Sequence, residues 1–124
     1  MKTIILTLAL LLGACASSAP DLLQTDGPLG RQVSRVLDRH DGYVIGDISL
    51  GAAVAEAALA QSDVVRELAA LPEVSRGALG AAAAPVLDRH DGYVRSDAGL
   101  DADESATYLA TTDQLRRLLH LGTP

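Results

Sequence analysis

The chain has 124 residues, with 10 basic against 16 acidic side chains and a formal net charge of −6. That excess of negative charge argues against a nucleic-acid partner and against a polybasic grip on anionic lipid. A single cysteine, Cys15, rules out an intrachain disulfide and a cysteine-built zinc site, and three Tyr with no Phe or Trp leave the core to Leu, Val, Ile and Ala.

In chain order, Lys2 precedes an apolar run from Ile4 to Leu12, and Gly13, Ala14 and Cys15 follow. The run is shorter than the roughly 20 residues that span a bilayer, but it suits the apolar region of a signal peptide. The stretch Leu12-Gly13-Ala14-Cys15 resembles the lipobox of bacterial lipoproteins. That resemblance covers residues 1–15 only. It implies cleavage before Cys15, lipid on the Cys15 sulfur, and a place in the bacterial envelope. Ala16 in place of Asp implies the outer membrane, facing the periplasm. Several acyl chains together give stable anchoring where one does not. Removing residues 1–14 takes away Lys2 and leaves a mature charge of 9 − 16 = −7. Residues 15–27 then read as the lipidated cysteine and a tether, rich in Ser, Pro, Asp and Gly.

The rest of the chain is a tandem duplication. Val36 to Val44 (Val-Leu-Asp-Arg-His-Asp-Gly-Tyr-Val) recurs without change at Val86 to Val94, and an offset of 50 matches 21 of 48 positions without a gap. Matches outside the block include Asp47 with Asp97, Leu59 with Leu109, and Arg66 with Arg116. Each unit reads as a helical hairpin, repeat 1 over 28–72 and repeat 2, with a linker helix, over 73–124. In the first helix, Val33, Val36, Leu37, His40, Tyr43 and Val44 share one stripe at about 100° per residue. Gly42 and Gly92 fall opposite that stripe and predict a bend or a close contact. The second helix of repeat 1 runs from about Ala52 to Leu71, with Ser49 as a weak cap, and stops at Pro72. Glu73 to Ala84 is ambiguous because Gly77 and Gly80 weaken a helix, and Pro85 suits the first position of the next one. Asp101 and Glu104 form a capping-box pattern for the last helix. Its apolar face is Tyr108, Leu115, Leu118 and Leu119, with Arg116, Arg117 and His120 as cations in the last turn and Gly122 and Pro124 as its stop. No strand alternation is visible. The expectation is an all-α fold of two helical hairpins in a small four-helix arrangement.

The only concentrated polar signal is the repeated block. His40, Asp41, Tyr43, His90, Asp91 and Tyr93 are the candidate cluster, either for a ligand or for internal structure. The structural expectation is an imidazole paired with a carboxylate or carbonyl of the other unit. The sharper alternative is a metal or small-ligand site from the two histidines and neighbouring aspartates. Asp38 and Asp41 read as solvated charges beside Arg35 and Arg39. No nucleophile elbow, phosphate loop or dinucleotide loop occurs, so no catalytic residue, metal ligand or cofactor is assigned. The expected function is a non-enzymatic, lipid-anchored envelope protein whose helical domain is structural or meets a protein partner. A metal- or ligand-binding lipoprotein is the alternative, and a lipoprotein of a phage lysis system is a further one.

Overall fold

The computed structural model describes residues 21–122. Cys15 and the segment expected to be a signal peptide lie outside these residues. Strand β1 (Leu22–Gln24) leads into helix α1 (Pro28–Gly46), which forms a hairpin with α2 (Ala52–Ala69). Strand β2 (Glu73–Ser75) leads into α3 (Arg76–Ser96), which forms a second hairpin with α4 (Ala102–Leu118). The fold is predominantly helical, a small four-helix arrangement with one two-stranded ribbon.

The duplication is visible as a pseudo-twofold. β1 pairs antiparallel with β2, Leu23 opposite Val74, so the segments that precede the two hairpins pair with each other. At the far end of the bundle Tyr43 stacks on Tyr93, ring centroids 5.2 Å apart. With the ribbon before their first turns and the tyrosines near their last, α1 and α3 run parallel. Between these ends the core is aliphatic: Val33, Val36 and Leu37 of α1, Val65 of α2, Leu79, Val86 and Leu87 of α3, and Leu115 of α4. The stripe read from the sequence is the buried face of α1, where Val33, Val36, Leu37, His40 and Val44 are all buried.

Several local expectations need correction. The segment read as tether is partly folded: Leu22–Gln24 form β1, Thr25 is buried, and its N–H donates to the Pro72 carbonyl at 3.1 Å. The ribbon escaped a search for alternation because its strands are three residues long. Ser49 does not cap α2; Gly51 holds that position without a side-chain bond, and Ser49 instead binds the Asp47 carboxylate. α3 starts at Arg76, not at Pro85. Ser75 caps it by accepting from the Ala78 N–H, and the run Ala81 to Ala84 supplies the helix propensity that Gly77 and Gly80 lack. Pro85 sits inside this helix on an exposed side, as does Ala81, whose carbonyl loses its donor. The capping box of α4 is present in both directions. That helix ends at Leu118 rather than at Gly122, with the Leu121 N–H on the Arg116 carbonyl and the His120 N–H on that of Arg117. These two bonds make a Schellman ending, with His120 at φ 57 where glycine is usual.

The glycines of α1 and α3 behave in two opposite ways. Gly30 abuts the ribbon, and a Cβ there would run into the Thr25 carbonyl oxygen. Gly42 and Gly92 face open space, so the bend or close contact expected at them is absent. Gly42→Ala and Gly92→Ala should each stabilise the fold by about 1 kcal/mol through helix propensity. Gly30→Ala should destabilise it by about 1–3 kcal/mol through overpacking. Urea unfolding of the three variants measures both signs.

Candidate functional site

The repeated block folds into two interlocked polar networks on the seam between the hairpins. In the first, His40 is fully buried, and its Nδ1 lies 2.9 Å from Oδ1 of Asp41 and 3.0 Å from the Ser62 hydroxyl of α2. Arg66 of α2 donates to Asp41 at 2.6 Å and to Asp38 at 3.0 Å. The second network repeats the first 50 residues on. His90 Nδ1 lies 2.9 Å from Asp91, Thr112 of α4 donates to Asp91 at 2.7 Å, and Arg116 donates to Asp91 at 2.6 Å and to Asp88 at 3.0 Å. Thr112 stands where the first network has Ser62, and both carry the hydroxyl the position needs.

The two networks exchange arginines. Arg39 Nη1 lies 3.2 Å from Nε2 of His90, and Arg89 Nη1 lies 3.2 Å from Nε2 of His40. A guanidinium only donates, so each Nε2 must accept and carry no proton. The proton of each neutral imidazole therefore sits on Nδ1 and points at its own aspartate. Arg39 also lies over the Tyr108 ring, 3.6 Å from its centroid, a cation–π contact. Ala58 stands at the matching position of the first hairpin, so Arg89 has no such ring. Two more crossed bonds close the seam near the ends of α1 and α3: Tyr43 donates to Asp97 and Tyr93 to Asp47, each at 2.8 Å. Burial, then the Asp97 bond, pushes the Tyr43 hydroxyl up to about 12.

All six candidate residues thus come together, but the pairing differs from the expectation. The carboxylate on each histidine belongs to the adjacent residue of the same repeat, and the group from the other repeat is an arginine. Asp41 is 17% exposed and clamped by Arg66 rather than solvated beside Arg35 and Arg39, whereas Asp38, also bonded to Arg66, is 70% exposed. Arg116 lies in the last turn as expected, but its side chain turns inward: it is 2% exposed and is paired with a 1% exposed Asp91. Leu118, read as core, is 43% exposed, and Thr112 and Arg116 share the buried face of α4 with Leu115. Ser62, Thr112 and the crossing role of Arg39 and Arg89 were not foreseen. The match of Arg66 with Arg116 and of Asp47 with Asp97 across the duplication was the available signal.

This arrangement does not suit a metal. Each histidine's free nitrogen faces a cation, and among the described residues no group of three His, Cys, Asp or Glu could hold an ion. Asp41 and Asp91 each accept from two or more donors, whereas Asp38 and Asp88 each accept from one arginine. Gln61 Oε1 is the one buried side-chain polar atom without a partner among the described residues. No protein-family model matches the chain, and no curated protein or solved structure shows significant similarity to it.

The two networks differ in exposure, and that difference is measurable. The Arg66 side chain is 36% exposed, whereas Arg116 and Asp91 are withdrawn from water. Asp91→Ala removes the buried partner of Arg116, leaving it Asp88 and Asp113 at the surface, and takes the acceptor from His90, so it should cost about 3 kcal/mol. Asp41→Ala leaves Arg66 free to reach solvent and should cost clearly less. Thermal melts of both variants rank them.

Acid should weaken the fold in two stages. Burial lowers the His40 pKa, outweighing the nearby Asp41, with Arg89 and His90 adding to the effect. The unfolded chain then takes up the proton first, so stability falls as pH drops below the ordinary histidine value of about 6.5. The Asp41 and Asp91 carboxyls are raised by burial, but their hydroxyl, imidazole and guanidinium donors outweigh this and hold them low. Their contribution is lost as pH falls below about 4 toward their folded pKa. Urea midpoints at a series of pH values should show both stages, and His40→Gln should remove most of the first.

Proposed function

We propose that the protein is a small lipid-anchored component of the bacterial envelope, held through Cys15, with a non-catalytic helical domain that serves structure or protein interaction. The lipobox-like Leu12-Gly13-Ala14-Cys15 behind the apolar run Ile4 to Leu12 carries this reading. Two features of the fold support it. The described structure starts at Asp21, six residues beyond Cys15, so an anchor there would hold the ribbon end of the bundle close to the membrane. The repeated polar groups are engaged with one another, as expected of a scaffold rather than of a reaction centre. No described helix is long and apolar enough to cross a membrane, so membrane attachment by this reading rests on the lipid.

Cys15→Ser tests the anchor. The wild-type chain should pellet with membranes and label with a radioactive fatty acid. The variant should lose the label and leave the membrane fraction. A variant that still pellets in full would sink the reading.

A further inference from the structure

The contacts across the seam divide by chemistry along α1 and α3. Toward the ribbon the hairpins meet through the aliphatic core, which ends at Leu37 on α1 and at Leu87 on α3. Beyond these residues polar and aromatic side chains take over: the Arg39–His90 and Arg89–His40 contacts, the stacked Tyr43 and Tyr93, and the crossed Tyr43–Asp97 and Tyr93–Asp47 bonds. Val44 and Val94 are buried at this end but lie outside the core cluster. The tyrosines, Asp47 and Asp97 border an open cleft with Gly42, Gly46 and Ser96, so water competes for their hydrogen bonds.

Each histidine divides its two ring nitrogens between the hairpins. Nδ1 faces its own. For His40 this means the Asp41 carboxylate, itself held by Arg66, and the Ser62 hydroxyl of α2. For His90 it means the Asp91 carboxylate, itself held by Arg116 and the Thr112 hydroxyl of α4. Asp38 and Asp88 stand one partner further off, on Arg66 and Arg116. Nε2 faces the other hairpin, where Arg89 meets His40, and Arg39, lying over Tyr108, meets His90. A proton taken up by either neutral imidazole goes to Nε2, since Nδ1 already carries one. It sets N–H against N–H and cation against cation across the seam. Inside the hairpin it has the opposite effect, because the Nδ1–H bond to the aspartate becomes charge-assisted.

We infer that the seam is an acid-operated latch: protons on Nε2 of His40 and His90 part α1 from α3 along their last turns, while each hairpin and the ribbon end stay folded. Each helix offers an arginine and a histidine at adjacent positions, so a displacement that breaks one crossed contact loosens the other. Both imidazoles are wholly buried while the latch is shut. Burial, with Arg89 adding to it and Asp41 opposing, holds the His40 pKa below its ordinary value, so the opened seam binds the proton more readily than the shut one. The latch is therefore shut at neutral pH and opens below about 6.5. Opening uncovers Val44 and Val94 and frees Arg39 and Arg89. Acid thus breaks the seam before it breaks the hairpins.

The inference does not rest on an anchor at Cys15. Its test follows the full-length chain by NMR from about pH 7.5 to about pH 4.5, which stays above the ordinary carboxylate range. Two nuclear Overhauser contacts are compared: Tyr43 with Tyr93 between the hairpins, and His40 with Ser62 within the first. The tyrosine contact should be lost below about pH 6.5 and return at neutral pH, with the His40–Ser62 contact and the far-ultraviolet helical signal kept. Loss of both contacts together means unfolding and overturns the inference. So does a tyrosine contact that persists to the acid end of the range. His40→Gln combined with His90→Gln supplies a second arm, because a glutamine amide oxygen accepts from the arginine and takes up no proton. The double variant should keep the tyrosine contact throughout. If it folds and loses the contact where the wild type does, another group works the seam and the inference fails; if it does not fold at neutral pH, the wild-type comparison still decides.

Discussion

The structure turns on the fact that a guanidinium can only donate. Arg39 and Arg89 each cross the seam to the imidazole of the opposite repeat. That contact fixes which nitrogen of each histidine carries the proton. The proton then points at Asp41 or Asp91, which turns its other oxygen to Arg66 or Arg116. One restriction on hydrogen-bond direction thus orders a chain of groups that starts on one hairpin and ends on the other. Apolar packing holds the hairpins together, but aliphatic side chains alone tolerate several registers. The crossed arginines tolerate one, because a shift by a turn leaves the Nε2 of two buried imidazoles without its donor.

The symmetry is unequal in ways that follow from single substitutions. Tyr108 gives Arg39 a ring that Ala58 cannot give Arg89. Arg116 is enclosed while its counterpart Arg66 stays partly wet. The second hairpin therefore holds the more fully dehydrated ion pair, and the first the wetter one.

Much of the fold was legible because its signals are periodic or repeated. The 50-residue offset revealed two hairpins, and the spacing of Val33, Val36, Leu37, His40 and Val44 identified the buried face of α1. The capping box at Asp101 and Glu104 marked a helix start that local chemistry alone determines. What escaped reading depends on contacts distant in sequence. β1 exists only because Leu22–Gln24 meets Glu73–Ser75, and neither segment has a strand pattern of its own. Pro85 reads as a helix start because Gly77 and Gly80 weaken the segment before it, whereas the Ser75 cap and the run Ala81 to Ala84 carry α3 through the proline. Within the site, the sequence named the six repeated residues but not their partners. Arg116 reads as a last-turn cation, and only the buried Asp91, 25 residues away in sequence, draws it inward.

The ribbon has a mechanical consequence. Asp21 opens the described fold and is gripped by Arg76 at 2.5 Å, and the same guanidinium donates to the Leu118 carbonyl at the end of α4. A pull applied at the chain's leading end therefore does not begin by peeling α1 from its hairpin. It passes through one arginine into the start of α3 and the last turn of α4, so tension at the first described residue is shared with the last helix of the bundle.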